Sequence, residues 1–375
     1  MRIVFITNSI GFGGAEKMIA FVANGMAKKG HTVSIINYKS IKGSYIDKHK
    51  QFLEDSIAIH TFDSTKGRKI SRFQKILFTK RIIKQFNADV MVCFTMYPSF
   101  IGKVVHCLTG VPSIMAERGN PYITINKKNV FSLLELFFVN RSKGGVFQIS
   151  GASEFFSRSL QKRSIIIPNP IFINDRIESV DFSKREKCIV SVGRLDNYQK
   201  RYDVMIKAFS LFSRNHLDWV LKLYGIGSDE DSIKKWCIEE GVEDKVLFMG
   251  LSKQPMVDIS HAGMFLITSD FEGISNSLLE AMAVGLPCVS TDSELGAARM
   301  LIENMSNGLL APVGNPEKIA EAMSVFADNP DVAEKCAEKA KEVIDRFDAD
   351  VILNKWESYI SDVVNRAKND KACGK

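Results

Sequence analysis

RIVFITNSIGFGGAEKMIAFVANGMAKKGHTVSIIN, residues 2–37, decides the architecture. RIVFIT is a short apolar strand and NSIGFGG a glycine-rich turn; AEKMIAFVANGMAKKG is helical in its apolar spacing and ends at Gly30, and HTVSIIN is the next strand. Further strands are expected at IAIHTF (57–62), DVMVCF (89–94), PSIMAE (112–117), GVFQIS (145–150) and SIIIPN (164–169), with helical patterns between several of them. That alternation implies a parallel sheet with helices on its faces. A polar stretch, NDRIESVDFSKREK (174–187), breaks the rhythm and reads as a linker. The rhythm restarts at CIVSVG (188–193), WVLKLYG (219–225), KVLFMG (245–250), MFLITS (264–269) and LPCVST (286–291). From about 317 the chain reads as helical, and Val351, Ile352, Trp356, Tyr359, Ile360 and Val363 form an apolar face.

The expected fold is therefore α/β, with two doubly wound Rossmann-like domains facing a central cleft. The first covers 1–173, with a C-terminal helix at about 347–368 returning to it, and the second covers 188–346. In such sheets ligands bind outside the carboxyl ends of the strands.

A chain of 375 residues, 45% hydrophobic, exceeds what one core usually holds, in keeping with two domains. The apolar run at the N-terminus is too short for a signal peptide, and FSLLELFFV (131–139) is too short to span a bilayer. Seven scattered cysteines without C-x-x-C spacing read as reduced residues in a cytosol. The net charge of +7 conceals an asymmetry: residues 1–180 hold 26 Lys/Arg against 11 Asp/Glu, the remainder 24 against 32. Aromatic residues are not interleaved with the cations as a base-stacking surface requires, so nucleic acid is not an expected partner; an anionic membrane surface fits the basic half.

The strongest chemical signal is DFEGISNSLLEAMAVGLP (270–287). A strand ends, Glu272 and Gly273 turn the chain, Ser275 or Asn276 caps a helix, and Gly285 with Pro287 stops it. A helix N-terminus after a strand suits a phosphate. Glu272 before the helix and Glu280 in its second turn would repel phosphate and suit hydroxyl groups instead. A dipole partner and a solvated helix face are the bland readings of the two. GRLDNYQK (193–200) follows CIVSVG and brings Arg194 and Lys200 to a strand end, where two cations can stabilise a diphosphate leaving group. The bidentate guanidinium makes Arg194 the stronger of the two, since Lys200 precedes Arg201 and also reads as part of a surface basic cluster. The turn with Gly11, Gly13 and Gly14 and the turn YGIGSD (224–229), with Gly225, each let phosphate or nucleotide approach backbone, or are simply tight turns. The first is not G-x-G-x-x-G, and its following strand lacks the acidic residue that would hold an NAD ribose, which disfavours a dehydrogenase.

Taken together, GGAE (13–16), GRLxxxxK, YGxG, the E-x7-E segment ending LLEAMAVGLP, NPI (169–171) and NGLLAPVGN (307–315) resemble the retaining glycosyltransferases of family 4, with the GT-B fold, over essentially the whole chain. The resemblance implies that Glu280 binds the nucleotide ribose and that Glu272 contacts hydroxyls of the transferred sugar. Arg194 and Lys200 would hold the diphosphate together with backbone N–H groups around Asn276 and Ser277 and with Gly14. Backbone near Gly250 and Leu251 would receive the base. It implies no cofactor and no metal site, and it makes the acidic run Asp229, Glu230, Asp231 a helix start. Many members carry a histidine after the strand that here reads PSIMAE; this chain has Glu117, Arg118, Gly119 and Asn120 there, with Arg118 in the matching place. The variants EGISNS and ERGNP resemble the branch that builds bacterial surface polysaccharides and lipid-linked oligosaccharides. That branch often uses N-acetylhexosamine or hexose donors on UDP. The alternatives are a sugar-nucleotide epimerase, a glycan phosphorylase or a non-catalytic sugar-nucleotide-binding protein.

The acceptor of such a reaction would be a glycan on a polyprenyl diphosphate. KGRKISRFQKILFTKRIIKQF (66–86) has eight cations, no acidic residue, and Ile70, Phe73, Leu77, Phe78, Ile82 and Phe86 near helical spacing. It reads either as a basic helix on anionic lipid or as an ordinary helix packed on the sheet. The expected location is cytoplasmic, peripheral on the inner face of the plasma membrane.

Overall fold

The computed structural model describes residues 1–9, 14–38, 53–62, 71–125, 129–173 and 180–373. Gly11, Gly13, residues 66–70 and much of the expected linker lie outside them. The chain forms two compact units, Met1–Pro168 with Asp350–Lys375, and Asn169–Ala349. Asn169 to Ile173 thus belong to the second unit, where the Ile171 N–H donates to the Phe347 carbonyl at 2.8 Å.

Among the described residues the first unit holds seven parallel strands: β1 (Arg2–Thr7), β2 (Thr32–Asn37), β3 (Ala58–Thr61), β4 (Val90–Phe94), β5 (Ser113–Glu117), β6 (Gly144–Phe147) and β7 (Ser164–Ile166), in the order β3-β2-β1-β4-β5-β6-β7. Strands β4 and β5 are buried at every position, which is why they read as continuous apolar runs without alternation. Order reverses between β1 and β4, whose register pairs Ile3 with Val90. Such a reversal opens a crevice at the carboxyl ends.

The Ala349–Ala372 helix completes this unit. Trp356, fully buried, stacks on Phe94 with centroids 5.9 Å apart, and Ile352, Ile360 and Val363 join the same core as Ile3, Phe5 and Val92. Val351, expected on that face, is exposed, and Leu353 packs inward against Gly25 in its place. Val351 and Leu353 stand about 200° apart around the helix, and the buried stripe passes from Leu353 to Trp356 rather than through Val351. Tyr359 accepts a hydrogen bond from Gly145 N–H at 2.8 Å and donates to the Arg163 carbonyl, tying the helix to the sheet. Tyr359→Phe is expected to cost about 1–3 kcal/mol, because a buried N–H and a carbonyl lose their partner; urea denaturation checks it.

The Arg72–Gln85 helix starts at a capping box in which Ser71 and Gln74 each serve the other's backbone. It packs through Thr79, Ile82 and Ile83 and leaves Phe73 and Leu77 exposed. Among the described residues, no helix is long and apolar enough to cross a membrane.

The described residues of the second unit form six parallel strands: β8 (Glu186–Val192), β9 (Val220–Tyr224), β10 (Val246–Gly250), β11 (Ala262–Ile267), β12 (Cys288–Asp292) and β13 (Leu309–Pro312), in the order β10-β9-β8-β11-β12-β13. β13 was not among the strands expected from sequence. It is four residues long, closed by a proline, and acquires strand character only by pairing with β12 from Val289↔Leu309 onward. Here the order reverses between β8 and β11. The fold is accordingly α/β with two doubly wound, Rossmann-like domains.

Candidate active site

In the second unit the β8/β11 reversal sets the segment after β8 beside the segment after β11. After Val192 the chain runs Gly193, Arg194, Leu195 and then Asp196, which caps the one-turn helix Asn197–Lys200 through Tyr198 N–H. Loops after neighbouring strands are zipped to it by backbone. Gly193 N–H donates to Tyr224 O at 2.9 Å, Leu195 N–H to Ile226 O at 3.1 Å, and Gly225 N–H to Gly250 O at 2.8 Å. Asp229 precedes the Glu230–Glu239 helix and accepts from Asn197 N–H at 2.7 Å, so this acid also pins the neighbouring loop.

Glycine is obligatory at this seam. A Cβ on Gly225, whose φ is +151°, would lie 1.8 Å from Gly193 O, and one on Gly227 would lie 2.1 Å from Leu195 O. Gly250 has φ +71° and ends β10, while Leu251 after it is exposed.

Lys200 and Glu272 meet here. Lys200 Nζ lies 2.6 Å from Glu272 Oε1, Ser269 Oγ donates to the same oxygen at 2.8 Å, and Gln199 Nε2 donates to Oε2 at 3.0 Å. Both side chains of the ion pair are largely shielded, 14% and 18% exposed. A carboxylate has about four acceptor sites, so three donors fix its plane and leave capacity on Oε2 for a hydroxyl. Lys200, expected at the diphosphate, is engaged by Glu272 in this structure. Arg194 is the cation that faces solvent: its side chain is 73% exposed, with Asp196 3.9 Å away.

Behind this pair, Arg201 adopts left-handed φ +52° and binds two carboxylates, Asp203 through Nε at 2.9 Å and Asp270 through Nη1 at 2.9 Å. Hydrogen bonds to Asp203 and then Asp270 hold its proton more firmly than in water. Sequence reading put Arg201 in a surface basic cluster; the structure makes it a clamp between the loop after β8 and the loop after β11. Thr268 Oγ1 adds a bond to the Lys200 carbonyl at 2.9 Å. Tyr202 lies fully buried beneath, its phenol pushed up by burial and, to a smaller extent, by the Glu272 charge. No short-range signal in the chain reveals Gln199, Asp270 or Thr268 as partners, since each matters through the β8/β11 adjacency, whereas Ser269 reaches Glu272 three residues on in the same segment.

The Asn276–Ala283 helix begins at Ser275, whose Oγ accepts from Leu278 N–H, and Asn169 Nδ2 donates to Asn276 Oδ1 at 3.0 Å. The NPI segment thereby supports the helix start. First-turn N–H groups, including those of Asn276 and Ser277, have no intrahelical partner and suit an anion. Glu280 follows in the second turn, half-buried. A recess lined by Ser269, Glu272, Gly273, Ser275, Ser290 and Thr291 opens beside the helix start. Ile267, Leu278, Ala297, Ala298 and Leu301 also line it, so its wall mixes hydroxyl and carboxylate groups with aliphatic side chains.

In the first unit, Gly14 opens the Gly14–Lys28 helix. A second pocket lies at the carboxyl ends of β1, β4 and β5, lined by Asn8, Thr95, Tyr97, Glu117, Arg118 and Glu135 among others. Glu117 Oε1 accepts from Arg118 N–H and Gly119 N–H, both at 3.1 Å, and Arg118 Nη1 donates to Ile167 O at 2.9 Å. Burial raises the Glu117 pKa and lowers that of Arg118. Asn120 accepts from Tyr122 N–H at 2.9 Å and so caps the short Pro121–Thr124 helix.

Comparison with known proteins places this geometry among sugar-transferring enzymes. The chain is 26% identical over 358 residues, 91% of this chain and 94% of the relative, to N-acetylgalactosamine-N,N'-diacetylbacillosaminyl-diphospho-undecaprenol 4-alpha-N-acetylgalactosaminyltransferase of Campylobacter jejuni. It is 24% identical to the lipopolysaccharide 1,6-galactosyltransferase of Salmonella typhimurium, over 83% of this chain and 86% of that one. Among solved structures, the lipopolysaccharide outer core galactosyltransferase WaaB matches with a TM-score of 0.79 at 19% identity, covering 96% of this chain and 99% of its own. HepE of Anabaena in complex with UDP matches with a TM-score of 0.79 at 17% identity, covering 96% and 100%. At these identities the structures establish the fold, which is GT-B. Residues 173–343, nearly all of the second unit, match the model of the family Glycosyl transferases group 1, and the relatives that span both units are glycosyltransferases.

Proposed function

We propose that the chain is a retaining, metal-independent glycosyltransferase of family 4 that moves a hexose or N-acetylhexosamine from UDP onto a lipid-linked glycan in bacterial surface glycan synthesis. The observation that carries this reading is the Lys200–Glu272 clasp at the β8/β11 reversal, set between exposed Arg194 and the helix start at Asn276. The donor diphosphate lies on Arg194 and the first-turn N–H groups, within reach of the positive field of Lys200. Glu272, held by Lys200, Ser269 and Gln199, receives a hydroxyl of the sugar. Glu280 takes the ribose hydroxyls, and the backbone at Gly250 and Leu251 takes the base.

In the reaction the bond between the anomeric carbon and the phosphate oxygen breaks and its electron pair stays on phosphate. The acceptor oxygen bonds to the same face of that carbon, and its proton passes to the departing phosphate oxygen. This route needs no carboxylate base and no cofactor, and cationic and N–H groups supply the stabilisation of the leaving group. The relatives' lipid-linked and lipopolysaccharide acceptors support an acceptor of the same class, and the Glu117–Arg118 pocket of the first unit would receive its polar part. A basic helix at 72–85, free of acidic residues, supports docking on the cytoplasmic face of an anionic membrane.

UDP, but not free sugars, is expected to raise the melting temperature; at a hundredfold excess over Kd the gain is about 2.7 kcal/mol. Glu280→Ala is expected to weaken that shift by about tenfold in Kd, one hydrogen-bonded carboxylate's contribution. Absence of any shift with UDP and other nucleoside diphosphates would overturn the reading, and the anomer of the product, read by NMR, tests retention.

A further inference from the structure

The Val130–Val139 helix, VFSLLELFFV, is the most apolar helix among the described residues, yet only Val139 in it is fully buried. Val130 is 76% exposed, Phe131 59% and Phe137 51%, with Leu133 and Leu134 also exposed. Phe138 turns inward, edge-on to Phe100 at 5.6 Å, which fixes which side faces the protein. Five large apolar side chains on one helix therefore meet water, far more than scattered exposure explains.

The surroundings of the stripe define its partner. Arg72, at the start of the neighbouring basic helix, lies 4.8 Å from the Phe131 ring and pairs with Glu135 at 3.1 Å, joining the two helices. Arg141 sits 3.5 Å from the Phe137 ring at the other end. Phe73, 67% exposed, extends the apolar surface onto the basic helix, where Lys75, Lys80, Arg81 and Lys84 follow. Glu135 is the single carboxylate on either helix, and Arg72 neutralises it. Apolar side chains bordered by cations complement a bilayer with anionic headgroups. A second copy is disfavoured, since pairing through this face would oppose like charges.

We propose that the Val130–Val139 helix is a membrane-inserting element, lying in the plane of an anionic bilayer with Phe131, Leu134 and Phe137 below the headgroups while Arg72 and Arg141 hold phosphates. Ten residues give a helix of about 15 Å, half the roughly 30 Å hydrocarbon core, so it lies on the surface and does not span. The inference rests on the proposed membrane docking of the basic helix and adds a hydrophobic anchor to it. It also sets the Tyr97–Glu135 pocket, which this helix helps to line, at the lipid surface.

The test is co-sedimentation of the full chain with phosphatidylglycerol vesicles and with phosphatidylcholine vesicles. Wild type is expected to bind the former, and Phe131→Ser with Phe137→Ser to weaken that binding at least about tenfold, while Ile238→Ser, an equally exposed position of the second unit, leaves it unchanged. In a separate Phe137→Trp variant, the indole emission is expected to shift to the blue on binding and to be quenched by lipids brominated in their acyl chains. Binding unaffected by the double substitution, or abolished by salt with no emission shift, overturns insertion while leaving charge-based docking by the basic helix standing. Vesicle binding absent in the wild type overturns both. A dimer in light scattering that the double substitution dissolves overturns the bilayer as occupant. Donor hydrolysis without vesicles, expected to be the same in all variants, reports on the transferase reading independently.

Discussion

Glu272→Ala is expected to lower turnover by about 10²–10³-fold while changing the donor KM far less. Glu272 is positioned by three donors before any substrate arrives, so the contact it offers a sugar hydroxyl is preorganised and costs no rearrangement during reaction. Removing it also leaves Lys200 in a pocket where it is 14% exposed without its counter-charge. That loss is expected to cost about 1–3 kcal/mol of stability, less than the full penalty of a dry site because some solvent remains. The Lys200→Ala variant should resemble Glu272→Ala, since each residue holds the other. The double variant should then be little worse than the poorer single one. Steady-state kinetics with a UDP-sugar panel, together with thermal melts, measure both quantities; strictly additive losses would show that the clasp does not act as a unit.

Gly225→Ala is expected to destabilise the second unit by about 3–5 kcal/mol, in the range reserved for steric conflicts that the backbone cannot relieve. The added carbon would meet Gly193 O at 1.8 Å, and that oxygen belongs to the strand-end turn bearing Arg194. Relief requires parting the loops after β8 and β9, which breaks the Gly193–Tyr224 and Leu195–Ile226 hydrogen bonds and displaces Arg194. The control is Gly241→Ala, where φ is +65° but nothing lies within 4 Å of the new carbon. That change should cost only about 1–2 kcal/mol, the left-handed penalty alone. Thermal melts with and without UDP distinguish the two: Gly225→Ala should lose both stability and the UDP-induced shift, Gly241→Ala only part of its stability.

Much of the second unit was legible residue by residue. Glu272 and Glu280 fall where the strand, turn and helix pattern of 270–287 puts them, and Arg194 follows its strand directly. Lys200 was legible as a residue at a strand end, but its engagement by Glu272 was not. The two are 72 positions apart in the chain, and only the adjacency of β8 and β11 makes them partners. Arg201 illustrates the same limit: Asp203 lies two positions on, in the first turn of the next helix, but Asp270 lies on the loop after β11, and a neighbouring lysine made the arginine look like surface charge. β13 escaped because four residues ending in proline carry no periodicity of their own.

The sequence by itself determined the two parallel α/β halves, the glycine turns at their strand ends and the chemistry-bearing residues placed there, because hydropathy period, turn residues and helix caps are local properties of the chain. Tertiary structure alone decided which strand ends are neighbours, and with them the Lys200–Glu272 clasp and the Arg201 clamp. It also decided that the apolar run at 130–139 faces outward. Hydrophobicity in a sequence records a preference to leave water, and only the packed structure shows which apolar faces the protein itself has covered.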